Sequence, residues 1–155
     1  MNIHEPLFIE VIDTLLAHDV EFLLIGGYAV NYYGYGRYTG DIDFWLRPTN
    51  ENKTKFLQAI TILSSNSELI QHIDNLDFTE KHVIKIGKIP HRMDFLTKVN
   101  LVEFEEAWDK KKSIPLKDKQ LYIVQYEHLI LMKINTGRPK DKLDIEELQR
   151  INKDK

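Results

Sequence analysis

Two aspartates flank a single isoleucine in Asp41-Ile42-Asp43, and the run continues as Phe44-Trp45-Leu46. Aspartate is depleted in strands, so a pair at i and i+2 in an alternating apolar segment needs a reason. Residues two apart on a strand share a face, which sets the two carboxylates side by side. Like charges held that close raise a pKa or demand a cation. An all-oxygen pair suits Mg²⁺, which takes one or two carboxylates and completes its shell with water and substrate phosphates. A solvated edge strand with idle carboxylates is the plainer alternative. Upstream, Gly26-Gly27 ends the apolar stretch 20–25. Glycines between a strand and a helix let a phosphate come close to the backbone, and a helix start offers unpaired N–H groups. No Gly-Lys-Ser/Thr follows, which excludes a P-loop, and the spacing of Gly34, Gly36 and Gly40 does not make a dinucleotide fingerprint.

The elements that must position these residues follow from periodicity. Leu7, Phe8, Val11, Ile12, Leu15 and Leu16 recur at helical spacing and predict an amphipathic helix over residues 6–18. Residues 20–25 read as a buried strand, 28–34 as a short helix, 34–40 as a glycine-rich loop and 41–46 as a second strand. Asn50 is the expected cap of a helix over 51–64, and a short helix is expected within 65–80. Residues 82–86 and 91–96 predict two strands joined by Gly87-Lys88-Ile89-Pro90. One or two helical turns at 103–108, a short strand at 121–124, and helices at 127–135 and 140–151 complete the pattern. Gly137-Arg138-Pro139 breaks the last two helices apart. This mixture of helices and strands is α/β or α+β.

Composition limits the chemistry available. The 155 residues are 43% hydrophobic and 29% charged, which fits one globular domain over residues 1–155 rather than a disordered chain. There is no cysteine, which excludes a disulfide scaffold, a thiol nucleophile and a cysteine-ligated metal. The six histidines show no metal spacing. No apolar run reaches the roughly 20 residues that span a bilayer, and the start lacks a signal-peptide pattern, so a soluble cytoplasmic protein with no membrane partner is expected. The net charge of −3 is uneven: residues 1–50 carry seven acidic and two basic side chains, and the rest is slightly basic. Lys110-Lys111-Lys112 is expected to be a solvated turn.

Ile25-Gly26-Gly27, a spacer of thirteen residues, and Asp41-Ile42-Asp43-Phe44 together resemble the signature of the DNA polymerase β-like nucleotidyltransferase superfamily. The wording Gly26-Gly27-Tyr28-Ala29-Val30 followed by Gly36-Arg37-Tyr38-Thr39-Gly40-Asp41 is most similar to the AbiE-type toxin and small bacterial nucleotidyltransferase branch. The resemblance is strong over residues 20–46. It implies a third carboxylate on a later strand, for which Asp94 in His91-Arg92-Met93-Asp94-Phe95-Leu96 is the candidate; an aspartate merely paired with Arg92 is the alternative. A second match, Lys133-x4-Arg138-x-Lys140-Asp141-x2-Asp144, resembles the phosphate-serving motif of AbiE-type transferases, where a surface helix of paired charges is the alternative.

What the resemblance implies is a mixed β-sheet with helices on one side and a C-terminal helical tail. Asp41, Asp43 and Asp94 would ligate two Mg²⁺ ions, or Mn²⁺ in their place, and Asp94 would also act as base. Gly26, Gly27, Lys133, Arg138, Lys140 and Asp141 would serve the nucleotide, with Arg37 and Thr39 touching phosphate or shaping the loop. The activity implied is transfer of a nucleoside monophosphate from a nucleoside triphosphate to an acceptor hydroxyl, releasing pyrophosphate. The acceptor would be a tRNA, a protein side chain or a small hydroxylated molecule. With no room after residue 155 for a second domain, the acceptor surface is expected to be small or supplied by a partner. A non-catalytic nucleotide-binding or toxin–antitoxin interaction protein of the same fold is the alternative. Tyr28, Tyr32, Tyr33, Tyr35 and Tyr38 crowd the loop, where packing is favoured over base stacking, and Trp45 shares the aspartate face and would border the site.

Overall fold

The computed structural model describes residues 3–154. In chain order the elements are α1 (Pro6–Ala17), β1 (Phe22–Ile25), α2 (Gly26–Tyr32), β2 (Asp41–Leu46), α3 (Asn50–Leu63), α4 (Ser67–Asp74), β3 (Val83–Ile86), β4 (Arg92–Leu96), α5 (Phe104–Asp109), β5 (Lys112–Leu116), β6 (Lys119–Ile123), α6 (Tyr126–Lys133) and α7 (Pro139–Asn152). The six strands form one mixed sheet in the order β3-β4-β2-β1-β6-β5. The β2/β4 and β1/β6 pairs are parallel and the others antiparallel.

β1 lies inside the sheet and all four of its residues are buried, as expected for a strand covered on both faces. On one face of β2, Ile42, Phe44 and Leu46 point into the core. Phe44 stacks on Phe95 of β4, and Phe56 of α3 closes over Phe95 with centroids 4.9 Å apart. α1 joins this layer through Phe8, Val11, Ile12 and Leu15. The opposite face carries Asp41, Asp43 and Trp45. There Phe104 of α5 meets Trp45 edge-on at 5.1 Å. Helices therefore cover both faces, which corrects the one-sided layer expected from the sequence. Trp45 is what draws α5 across, because a large apolar ring on the polar face must be buried by something. The same contact corrects the expected place of Trp45. It is 1% exposed and donates its indole N–H to the Thr97 carbonyl, so it lies under α5 and away from the site.

Three local details differ from the expected elements. α2 starts at Gly26 rather than two residues later. Thr49, not Asn50, caps α3 by accepting from the Asn52 N–H, while Asn50 ties the 77–78 backbone region through Asp77 and the Phe78 N–H. β5 was not among the expected strands; it begins at Lys112, the last residue of a lysine run whose first member, Lys110, lies exposed in a turn as expected. The charged and proline-containing segment of β5 pairs with β6, and Lys111 just before it lies over the Trp108 and Tyr122 rings at 4.2 and 4.8 Å. No helix among the described residues is long and apolar enough to cross a membrane.

Candidate active site

The parallel register of β2 on β4 sets Asp43 beside Asp94 and Asp41 beside Arg92. Residues opposite one another share a face, so Asp41, Asp43 and Asp94 converge, with one oxygen from each within 4.8 Å of the others. Burial pushes the Asp43 carboxyl up to about 7, and the neighbouring charges of Asp41 and Asp94 add to the rise against the pull of Lys133 and Arg92. Asp94 is also raised, chiefly by burial, with Arg92 opposing. Arg92 Nη2 donates to Asp41 Oδ2, and its Nε lies 3.2 Å from Asp94 Oδ1. That last contact is not aligned as a hydrogen bond, and Asp94 Oδ1 is a buried carboxylate oxygen with no donor aimed at it. Asp94 thus lies in the carboxylate cluster and also pairs with Arg92.

Gly26 fits this cluster for a steric reason. A Cβ at Gly26 would lie 2.0 Å from Asp43 Oδ2, and its φ of +70° is one that side-chain-bearing residues rarely adopt. Gly27 is equally close to a neighbour: its missing Cβ would lie 2.4 Å from Thr39 Oγ1. Thr39 donates its hydroxyl to the Asp41 carbonyl at 2.9 Å and is buried, so it shapes the turn into β2.

The C-terminal charged motif folds into a buried network. Asp144 is fully buried; it accepts Arg37 Nε and Nη2 at 2.6 and 2.8 Å and lies 3.0 Å from Lys133 Nζ. Burial alone would raise its pKa, but the bonds from Arg37 and Lys133 outweigh that and hold the carboxyl below its ordinary value. Asp141, also buried, takes Lys133 Nζ at 3.2 Å and the Thr136 hydroxyl at 2.8 Å, with Arg138 Nε 3.6 Å away. These aspartates do not belong to a solvated charge pattern. They clamp the α6–α7 break against the loop before β2.

A cleft of about 800 Å³ opens over these groups. Gly26, Gly27, Arg37, Thr39, Asp41, Asp43, Asp94, Lys133, Arg138, Lys140 and Asp141 all line it, so every site residue predicted from the sequence is brought together. None of the five loop tyrosines lines it, and Tyr33 instead donates to the Val124 carbonyl. Lys81, Lys85, Arg92, Lys98 and Thr136 also line the cleft and were not singled out from the sequence. Arg92 had a signal, since it lies at i−2 from Asp94 on one strand. The lysines become visible only once the register of β3 on β4 is known. The donor set is all oxygen, lies at the floor of a cleft, and includes one buried oxygen without a donor, so it fits a hard divalent cation.

No curated protein sequence matches the chain. Among solved structures, the lincosamide antibiotic adenylyltransferase LnuA, determined with lincomycin bound, is similar in fold. Its identity is 15%, its TM-score 0.53, and the match covers 92% of this chain and 94% of that one. The family described as "Nucleotidyl transferase of unknown function (DUF2204)" matches residues 6–155. With that match over almost the whole chain, the chain belongs to this nucleotidyl transferase family.

Proposed function

We propose that the protein moves a nucleoside monophosphate from a nucleoside triphosphate onto an acceptor hydroxyl, with divalent metal and release of pyrophosphate. The observation that carries this is the convergence of Asp41, Asp43 and Asp94 within one cleft lined by lysine and arginine. Asp41, Asp43 and Asp94 would hold Mg²⁺. When bound, the metal would neutralise negative charge on the phosphoryl oxygens as it is transferred. The glycines at positions 26 and 27 leave the room that Asp43 and Thr39 fill, and the backbone at these positions lines the cleft where a triphosphate would lie. Lys140 and the exposed Arg138 are the cations on the α7 side with charge to offer, because Lys133 and Arg37 are engaged by Asp141 and Asp144.

The acceptor oxygen attacks the α-phosphorus in line. The bond from that phosphorus to the bridging oxygen breaks, and its electron pair leaves with pyrophosphate. The acceptor proton passes to the Asp94 carboxylate, whose hold on a proton burial strengthens, while Arg92 opposes by favouring the charged form. Asp43→Ala should cut transfer of label from an α-labelled nucleotide by about 10³-fold or more. It should also remove the thermal stabilisation that Mg²⁺ and nucleotide give together. Equal stabilisation of wild type and Asp43→Ala by Mg²⁺ and nucleotide would show the site assignment to be wrong.

A further inference from the structure

β3 runs antiparallel to β4 with Val83 opposite Leu96 and Lys85 opposite Asp94. Beyond Val83 the pairing continues, since the Thr97 N–H donates to the His82 carbonyl at 3.1 Å. Lys81 and Lys98 follow on either side of this last bond, just beyond the paired ends of β3 and β4. Both line the cleft, as do Val83, Lys85 and Leu96 on the same face, while Ile84 between them is buried on the other side. None of Lys81, Lys85 and Lys98 has a hydrogen bond or close ion pair with another described residue; Lys85 acts on Asp94 only at a distance.

Like charges gathered on one surface repel one another and need a reason. Lysines on an edge strand often serve only to block aggregation, but Lys98 follows β4, which is an interior strand, and Lys81 and Lys98 converge on one cleft wall. Charge accounting separates this wall from the other. On the α7 side Arg37 and Lys133 are held by Asp141 and Asp144, which leaves the exposed Arg138 and Lys140 for the nucleotide. On the β3 side no carboxylate among the described residues pairs with Lys81 or Lys98. The catalytic carboxylates lie between the two walls, with Asp94, the proposed base, on the strand next to β3.

We infer that Lys81 and Lys98, aided by Lys85, hold a phosphate group of the acceptor, so that the acceptor is a phosphorylated hydroxyl compound. This rests on the nucleotidyl transfer proposed above. One triphosphate needs one polyphosphate wall, and the second, unanswered wall lies on the side from which the attacking hydroxyl must reach Asp94. Polycationic acceptors are disfavoured by the same charges. Two sources offer the required chemistry: the 3′ end of an RNA strand, or a small phosphorylated molecule such as a nucleoside monophosphate.

The test uses the full chain and its Lys81→Gln/Lys98→Gln variant. Binding of Mg²⁺–ATP is measured first, by calorimetry. Binding and labelling are then measured for a short single-stranded oligoribonucleotide, a nucleoside monophosphate, the matching phosphate-free nucleoside, and lincomycin. The inference expects unchanged affinity for Mg²⁺–ATP. It expects at least about tenfold weaker binding of the phosphate-bearing acceptor in the variant, with a shallower salt dependence. Preference for the oligoribonucleotide or for the monophosphate identifies the source. Equal use of the phosphate-free nucleoside or of lincomycin overturns the inference, as does wild-type acceptor binding by the variant. Loss of Mg²⁺–ATP affinity in the variant also overturns it, because the lysines would then serve the nucleotide. Absence of Mg²⁺–ATP binding in the wild-type protein sinks the transferase reading itself.

Discussion

At the scale of single residues, the site is defined by how little room surrounds Asp43. Gly26 leaves the space its carboxylate fills, and Gly26→Ala would force a methyl group into an oxygen 2.0 Å away while straining a φ of +70°. The expected cost is about 1–3 kcal/mol of stability, read by urea denaturation, together with loss of the metal-dependent thermal shift. A Gly26→Ala protein with wild-type stability and metal response would show that Asp43 has freedom to move aside. Crowding also sets the behaviour of Asp43 with pH. Its folded pKa of about 7 lies above the ordinary carboxylate value, so the metal-free folded state binds the proton more tightly than the unfolded chain. That contribution to stability is fully present below the unfolded value and is lost as pH rises through about 7. Metal-free wild type should therefore lose stability between about pH 4 and 7 more steeply than Asp43→Asn, as read by denaturation at fixed ionic strength. Parallel pH profiles of the two proteins would contradict this origin of the shift.

At the scale of elements, the clamp between α7 and the loop before β2 holds one wall of the cleft. Asp144→Asn removes the charge that answers Arg37 and Lys133, and leaves two cations with little solvent. Breaking a buried pair in this way typically costs about 3–5 kcal/mol. The loss should be visible as a lower denaturation midpoint and faster hydrogen exchange in α7, and an unchanged midpoint would mean that α7 docks without the pair. These contacts also mark where sequence reasoning stopped. Asp41 and Asp43 stood out because charge in an apolar strand is locally anomalous, and Asp94 stood out for the same reason. Arg37 was legible as a cation near the site but not as the partner of Asp144, 107 positions away. β5 was invisible because Lys112, Ser113 and Pro115 have no local strand preference, and only pairing with β6 makes them one. The roles of Lys81 and Lys98 required the β3/β4 register, which no local spacing encodes.

At the scale of the whole molecule, the sheet order brings together strands that are distant in sequence. β2 lies between β1 and β4, so the carboxylate face forms only after the chain from 46 to 92 has looped back. On the proposed reading the assembled face would bind protons and metal in competition. The rise in melting temperature given by Mg²⁺ with nucleotide should grow as pH is raised from about 6 to 8, because Asp43 sheds its proton over that range. A shift that is flat in pH would place the metal elsewhere. The bond between Arg37 and Asp144 has a further meaning during synthesis. A chain emerging from the ribosome acquires all three carboxylates by residue 94, but the brace on the cleft wall arrives only with residue 144. The growing polypeptide thus passes through a stage in which Arg37 has been made but its partner has not, and the α7 side of the cleft has nothing to hold it. The cleft can therefore take its final shape only after α7 has been made, well after the three carboxylates, so its two sides become one site late in the order of assembly.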